Sequence, residues 1–167
     1  MSLFATLVPS PLGPLDVAVD ADGALVRIDM LDDGETPKIS AARGPAATAR
    51  CAAVATQLDE YFRGKRREFD LLVRPRGTPF QLSAWRQLQR IPYGATISYV
   101  EEARRLGNPQ AARAVGGANG KNPIPIVIPC HRVVAADGTL GGFSAGLDRK
   151  RWLLDHEAAH LGRTTVS

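Results

Sequence analysis

A small α/β domain made of an antiparallel sheet plus a helix, followed by a mainly helical domain with a helix-turn-helix, is the fold class predicted by this 167-residue sequence. Three observations predict it. Apolar and polar residues alternate through much of the first thirty positions, the period of a half-buried strand. The segment Arg74-Pro75-Arg76-Gly77-Thr78-Pro79 has linker chemistry and separates an acidic part of the chain from a basic one. Gly107-Asn108-Pro109 sets a tight turn between two helical patterns, the spacing of a helix-turn-helix.

The N-terminal domain is expected over residues 1–76. Leu15-Asp16-Val17-Ala18-Val19 and Ala24-Leu25-Val26-Arg27-Ile28, joined by the turn Asp20-Ala21-Asp22-Gly23, read as a hairpin or meander with one buried face. Residues 32–49 are rich in turn and small polar residues without a period, so an exposed loop is expected there. A helix is predicted from about Ala46 to Phe62 on the spacing of Val54, Leu58 and Phe62, with Gly64 as its stop and Cys51 inside it. Glu68 to Val73 is a short strand candidate.

The C-terminal domain is expected over residues 77–167. Thr78 caps a helix that has Pro79 in its first position and an apolar face of Phe80, Leu82, Trp85, Leu88 and Ile91, ended by Pro92-Tyr93-Gly94. Ser98-Tyr99-Val100-Glu101 matches a capping box and opens a helix reaching Leu106. Asn108 caps a further helix from Pro109 to roughly Ala118. Its Ala111, Ala112, Ala114, Gly116, Gly117 and Ala118 leave little bulk on its surface. Such a helix either packs tightly on a neighbour or enters a groove of DNA, with Arg113 as its one long cationic probe.

Composition and charge narrow the functions open to the chain. With 44% apolar and 23% charged residues it resembles an ordinary globular protein, and no apolar run reaches the length of a membrane span. The opening MSLFATLVPSPLG lacks the flank, apolar stretch and cleavage site of a secretory signal, so a cytoplasmic location and no membrane partner are expected. Cys51 and Cys130 are too few for a disulfide framework or a four-thiolate zinc site, and both read as free thiols. Residues 1–73 hold 8 Lys+Arg and 11 Asp+Glu, a net of −3, while residues 74–167 hold 13 and 6, a net of +7. A basic excess confined to one part suits a nucleic-acid partner; a merely solvated basic face is the other reading.

The segment Lys121-Asn122-Pro123-Ile124-Pro125-Ile126-Val127-Ile128-Pro129-Cys130-His131-Arg132-Val133-Val134 concentrates the chemistry. Its prolines argue against a central strand and predict a stiff, extended delivery of Cys130. A thiolate is the form of cysteine that attacks carbon, and the positive potential of Arg132 would favour it, with His131 as the nearest base. A buried structural cysteine is the competing reading. Glu157 follows Leu153 and Leu154 by four and three residues and so shares an apolar helical face, where a carboxylate needs a partner. That partner is either His131, completing thiol, base and orienter, or an arginine.

These residues resemble the O6-alkylguanine-DNA alkyltransferases, also called methylated-DNA–protein-cysteine methyltransferases. The resemblance rests on Ile91-Pro92-Tyr93-Gly94, Ile97-Ser98-Tyr99, Ala111-Ala112-Arg113-Ala114-Val115-Gly116, Asn122-Pro123, Pro129-Cys130-His131-Arg132-Val133 and the Leu153-Leu154 to Glu157 spacing, in order over residues 80–160. It implies irreversible, single-turnover transfer of an alkyl group from O6 of guanine, and from O4 of thymine, to Cys130. By the same match His131 activates the thiol through a water, Glu157 orients His131, and Asn122 braces the segment. Tyr99 and Ser144 would contact the extruded guanine, Val133 would line its pocket, and Arg113 would fill the vacated stack, with Ala111, Ala112 and Gly116 on the DNA. Extrusion is required because the damaged oxygen lies inside the duplex. Double-stranded DNA carrying O6-alkylguanine is the implied partner of a monomer that uses no cofactor and no metal. At Phe143 the sequence departs from many relatives, which carry tyrosine. The alternative function is a lesion-binding module without chemistry; relatives of that kind carry another residue in place of the cysteine.

Two short motifs point elsewhere. His156-Glu157-Ala158-Ala159-His160 satisfies the zinc-protease pattern, yet the only other histidine is His131. Gly142-Phe143-Ser144-Ala145-Gly146 satisfies the nucleophile-elbow pattern, which needs a strand before it and far more chain after it than this sequence offers.

Overall fold

The computed structural model describes residues 2–161, which divide into two compact units, the first ending at Arg76 and the second beginning at Gly77. Unit 1 opens with an antiparallel meander of β1 (Leu3–Val8), β2 (Leu15–Asp20) and β3 (Leu25–Met30), in which Val17 faces Thr6 on one side and Ile28 on the other. The alternating pattern predicts one buried face, but every residue of β2 is buried. The reason lies in residues 32–44, expected as an exposed loop. Ile39 packs on Ala5 and Ala18, Ala42 bridges to Phe4, and Arg43 clamps buried Asp16 with two bonds of 2.9 and 2.8 Å. A bidentate arginine makes the buried carboxylate tolerable and so covers the polar side of the strand.

The predicted helix over 46–62 is two helices, α1 (Pro45–Arg50) and α2 (Ala52–Phe62). Cys51 sits at the break, its thiol donating to the Phe4 carbonyl at 3.4 Å. Tyr61 rather than Phe62 is the buried aromatic. No ladder forms over Glu68 to Val73; a single bridge from Val73 to Leu25 is all the strand candidate supplies.

Unit 2 begins with α3 (Pro79–Leu88), whose start is a complete capping box: Thr78 Oγ1 accepts from Gln81 N–H, and Gln81 Oε1 accepts from Thr78 N–H. Trp85 and Leu88 face inward, and the Trp85 indole donates to the Ala118 carbonyl at 2.9 Å; Phe80 lies exposed. Next come β4 (Ile97–Ser98) and α4 (Tyr99–Arg105). Ser98 caps α4 by accepting from Glu101 N–H, but Glu101 turns to Arg104 and Arg105, so the capping box expected here is half made. A 3-10 turn, Pro109–Ala111, leads into α5 (Ala112–Gly120), completing the helix-turn-helix. Another 3-10 turn, Cys130–Arg132, runs into β5 (Val133–Val134), which pairs in parallel with β4, and α6 (Leu147–Leu161) closes the described chain.

Candidate active site

Residues 122–132 are not the extended arm that their prolines predict. Asn122 holds the segment folded: its Oδ1 accepts from Ile124 N–H at 2.9 Å and its Nδ2 donates to the Ile128 carbonyl at 2.7 Å. Ile128 N–H closes back on the Ile124 carbonyl, and Ile126 is driven to φ 76°. A β-branched residue in this region is strained by about 1–3 kcal/mol and persists only where its surroundings dictate the backbone. Burial of Ile124, Ile126 and Ile128 supplies that constraint. Pro129, at φ −83° and ψ 67°, then makes an inverse γ-turn in which Cys130 N–H donates to the Ile128 carbonyl at 2.8 Å.

The γ-turn feeds the 3-10 turn, which sends three consecutive side chains different ways. Cys130 borders a cleft of about 680 Å³ also lined by Tyr99, Arg113, Gly116, Asn119 and Ser144. His131 is fully buried, with Nε2 at 2.7 Å from Glu157 Oε2 on α6 and with no hydrogen-bond partner at Nδ1. Arg132 donates through Nε to Glu157 Oε1 at 2.8 Å, through Nη2 to Oε2 at 3.0 Å, and through Nη1 to the Ile91 carbonyl at 2.7 Å. Gly94 N–H adds a further donor to Glu157 Oε1. The two partners considered for Glu157, histidine and arginine, both bind it at once.

Electrostatics assigns a state to each group. Burial works to raise the Glu157 carboxyl, but the hydrogen bonds and charges of His131 and Arg132 carry it far below the usual carboxylate range. Burial holds His131 below its ordinary value even though Glu157 pulls it upward. Arg132 therefore answers the carboxylate's charge and the imidazole stays neutral. With Nε2–H donating to Glu157, the lone pair of His131 sits on Nδ1.

Cys130 is different from the expectation of a thiolate favoured by Arg132. Burial pushes its thiol up to about 11, and Arg132 is turned away onto Glu157. Opposing that rise are the Asn122 side chain and the charge of Lys150. Lys150 was not legible as a site residue. It is fully buried, donating from Nζ to the carbonyls of Val133 at 2.7 Å and Gly142 at 3.0 Å, with Tyr99 Oη at 3.5 Å. In the sequence it stands between two further cations, Arg149 and Arg151, and nothing local marks it as buried.

The other expected residues distribute unevenly. Tyr99, Arg113, Ala112, Gly116 and Ser144 line the cleft with Cys130. Ala111, in the 3-10 turn before α5, lies outside that lining, as does Val133, which is buried in β5 and enters the site through its carbonyl. Asn119 and Phe143 line the cleft as well. Gly141, at φ 70°, allows Tyr99 to approach: a Cβ there would meet Tyr99 Oη at 2.5 Å. Glycines 117 and 120 of α5 face open space, and a Cβ at Gly116 would meet only the Tyr99 ring at 3.8 Å, so tight packing on a neighbour does not explain them.

The motifs set aside in the sequence have ordinary places. Glu157 is spent on His131 and Arg132, while the His156 and His160 rings lie 4.3 Å apart, tilted by 49°, along α6. Among the described residues no cluster of three or more His, Cys, Asp or Glu is placed to hold a metal ion. Ser144 lies in the loop before α6, with no strand leading into it.

Comparison with known proteins bears on both units. Residues 79–159 match the model of the 6-O-methylguanine DNA methyltransferase, DNA binding domain, and residues 3–75 match that of the 6-O-methylguanine DNA methyltransferase, ribonuclease-like domain. The methylated-DNA–protein-cysteine methyltransferase of Mycolicibacterium paratuberculosis is 47% identical over 154 residues, 92% of this chain and 91% of that protein. The protein of the same name from Methanosarcina barkeri is 43% identical over 163 residues, 95% and 99% of the two chains. Among solved structures, the O6-methylguanine methyltransferase of Mycobacterium tuberculosis superposes with a TM-score of 0.84 at 42% identity, over 95% of this chain and 94% of that one. The Mycobacterium tuberculosis OGT in complex with DNA gives 0.83 at 43% identity, over 92% of each chain.

Proposed function

The chain belongs to the 6-O-methylguanine DNA methyltransferase family, a DNA-repair protein that takes alkyl groups onto a cysteine, and from that premise we propose Cys130 as the acceptor. The observation that carries the assignment is the Cys130–Arg132 turn, which borders the cleft with the thiol while seating the neighbouring imidazole on Glu157. His131 Nδ1 takes the thiol proton through a water, and Lys150 offsets part of the negative charge left on sulfur. The sulfur then bonds to the alkyl carbon as the carbon–O6 bond breaks, and that electron pair leaves with the guanine. Water has no good leaving group to displace from the resulting thioether, so each molecule reacts once.

DNA is the partner, and an O6-alkylguanine turned out of the duplex is the proposed substrate, with O4-alkylthymine a second. Tyr99 and Ser144 bound the cleft that would receive the base, and exposed Arg113 on α5 would occupy the gap in the stack. Cys130, His131 and Glu157 come from a single chain, which supports action as a monomer. A reduced thiol is required, which supports the cytoplasm as the compartment. No described helix is long and apolar enough to cross a membrane.

Incubation with a duplex containing O6-methylguanine, followed by mass spectrometry of the protein and its peptides, tests the assignment. One methyl mass on the Cys130 peptide is expected. Tight binding to the lesion with no change in mass would overturn it in favour of a binding module without chemistry.

A further inference from the structure

Two buried oxygens beside the cleft have no hydrogen-bond partner, Glu102 Oε2 and Asn119 Oδ1. Glu102 lies on α4 with no exposure, and Asn119 lies on α5, nearly buried and bordering the cleft. The other polar atoms of the same two side chains meet: Asn119 Nδ2 donates to Glu102 Oε1 at 2.8 Å. As carboxylate and amide, the pair leaves two buried acceptors without a donor, one of them charged, which is a costly arrangement. A single proton on Glu102 Oε2, donated to Asn119 Oδ1, would answer both and close a ring of two hydrogen bonds between acid and amide.

We propose that Glu102 is held as a neutral carboxylic acid in a cyclic acid–amide pair with Asn119, and that the pair is a positioning element of the alkyl-transfer site. It fastens the cleft-lining turn of α5 to α4 and keeps negative charge away from Cys130. The first half stands on the geometry of the two side chains; the second rests on the alkyl-transfer reading above.

The surroundings agree. Burial pushes the Glu102 carboxyl up to about 7, against the Asn119 hydrogen bond. Burial is the main cause that raises the Cys130 thiol and the Tyr99 hydroxyl, and negative charge on Glu102 adds to the rise in both. On the elements packed against α4, Arg86 of α3 and Arg113 of α5 are exposed. On α4 itself, Arg104 and Arg105 are exposed and paired with Glu101. Lys150 of α6, near Tyr99, is committed to the Val133 and Gly142 carbonyls. Among the described residues none forms an ion pair with Glu102, so no cation holds it ionised.

Because the folded value lies above the ordinary 4.5, the stabilising effect of Glu102 is fully present below about pH 4.5 and is lost as pH rises through about 7. Glu102→Gln supplies the missing N–H at every pH. The melting temperature of the variant relative to wild type should therefore climb by roughly 5 °C or more between pH 5 and pH 8. A difference that stays constant with pH would overturn the neutral acid. An NMR titration of the Glu102 side-chain carboxyl in the wild-type protein gives the same test without a variant: a midpoint near 7 is expected, and one near 4.5 would refute it. For the second half, the ratio of variant to wild-type rates on O6-methylguanine duplex should rise by about threefold or more from pH 6 to pH 8.5. A flat ratio would remove Glu102 from the site, whereas methyl addition to Cys130 at either pH would leave the function itself standing.

Discussion

His131 Nε2 and Glu157 Oε2 lie 2.7 Å apart with both side chains out of water, and Arg132 closes on the same carboxylate from the other side. The carboxylate thus fixes the imidazole's tautomer while the guanidinium balances its charge. Glu157→Gln breaks both relations, because an amide set between two donors must present its own N–H to one of them. If it keeps Arg132, His131 must accept at Nε2 and carry its proton on Nδ1, where it no longer serves as a base. Alkyl transfer at neutral pH is expected to slow by about 100-fold or more, with about 3 kcal/mol of stability lost. Single-turnover repair and urea unfolding measure the two effects, and a normal rate in the folded fraction would take Glu157 out of the chemistry.

The buried imidazole also predicts an acid limb in stability. Folding holds His131 below its ordinary value near 6.5, so the unfolded chain binds the extra proton in the window beneath that value. Stability from this group therefore rises with pH up to about 6.5 and is flat above. His131→Gln cannot titrate. The free-energy difference between wild type and variant, from denaturant unfolding at several pH values, should grow from pH 5 to pH 6.5; a constant difference would mean that the imidazole is not held neutral.

Lys150→Met keeps most of the side-chain volume but removes the donor to the Val133 and Gly142 carbonyls and the positive charge felt by Cys130. With burial already holding the thiol at about 11, losing the cation should slow alkyl transfer by roughly tenfold. The deficit should stay constant well below pH 11, where thiolate rises in parallel in both proteins, and close only as pH approaches that value. A pH–rate comparison on O6-methylguanine duplex, carried as far toward that value as the fold tolerates, decides it: a deficit that persists once the wild-type thiol ionises would point to misplaced loops rather than to charge.

How far the sequence anticipated this site follows from the range over which each signal acts. The Thr78-Pro79 cap, the meander strands and the Leu153-Leu154 to Glu157 face are local patterns, and each forms where it was expected. Local chemistry also singled out Cys130 and His131. The bend from Asn122 to Cys130 was missed because prolines read as stiff extension, whereas the Asn122 amide and three buried isoleucines fold the segment back and strain Ile126. Lys150 and Glu102 were missed for a related reason. Each sits among charged neighbours in the chain, and only tertiary packing withdraws it from water.

Gly117 separates the stability of α5 from its use. It faces open space at an ordinary helical backbone, so Gly117→Ala should stabilise the protein by about 0.5–1 kcal/mol through helix propensity alone. If this bare face of α5 lies against a DNA groove, the added methyl weakens duplex binding at the same time. Thermal unfolding and binding to an unmodified duplex give the two readouts, and a more stable variant with unchanged affinity would move the DNA contact off this face.

Arg113 is exposed on α5 and borders the cleft that Cys130 also lines, the position the proposed extrusion role requires. An intercalating arginine lowers the cost of opening the stack, a cost of a few kcal/mol that exists only in duplex DNA. Arg113→Ala should therefore slow repair of duplex O6-methylguanine by about tenfold or more while leaving alkyl transfer from a free O6-alkylguanine base largely intact. The fold should be unaffected, since the side chain is exposed and forms no ion pair among the described residues. Parallel rate measurements on the two substrates carry the test. Equal losses on both would place Arg113 at the base itself, and no loss on either would return the extrusion step to other residues of α5.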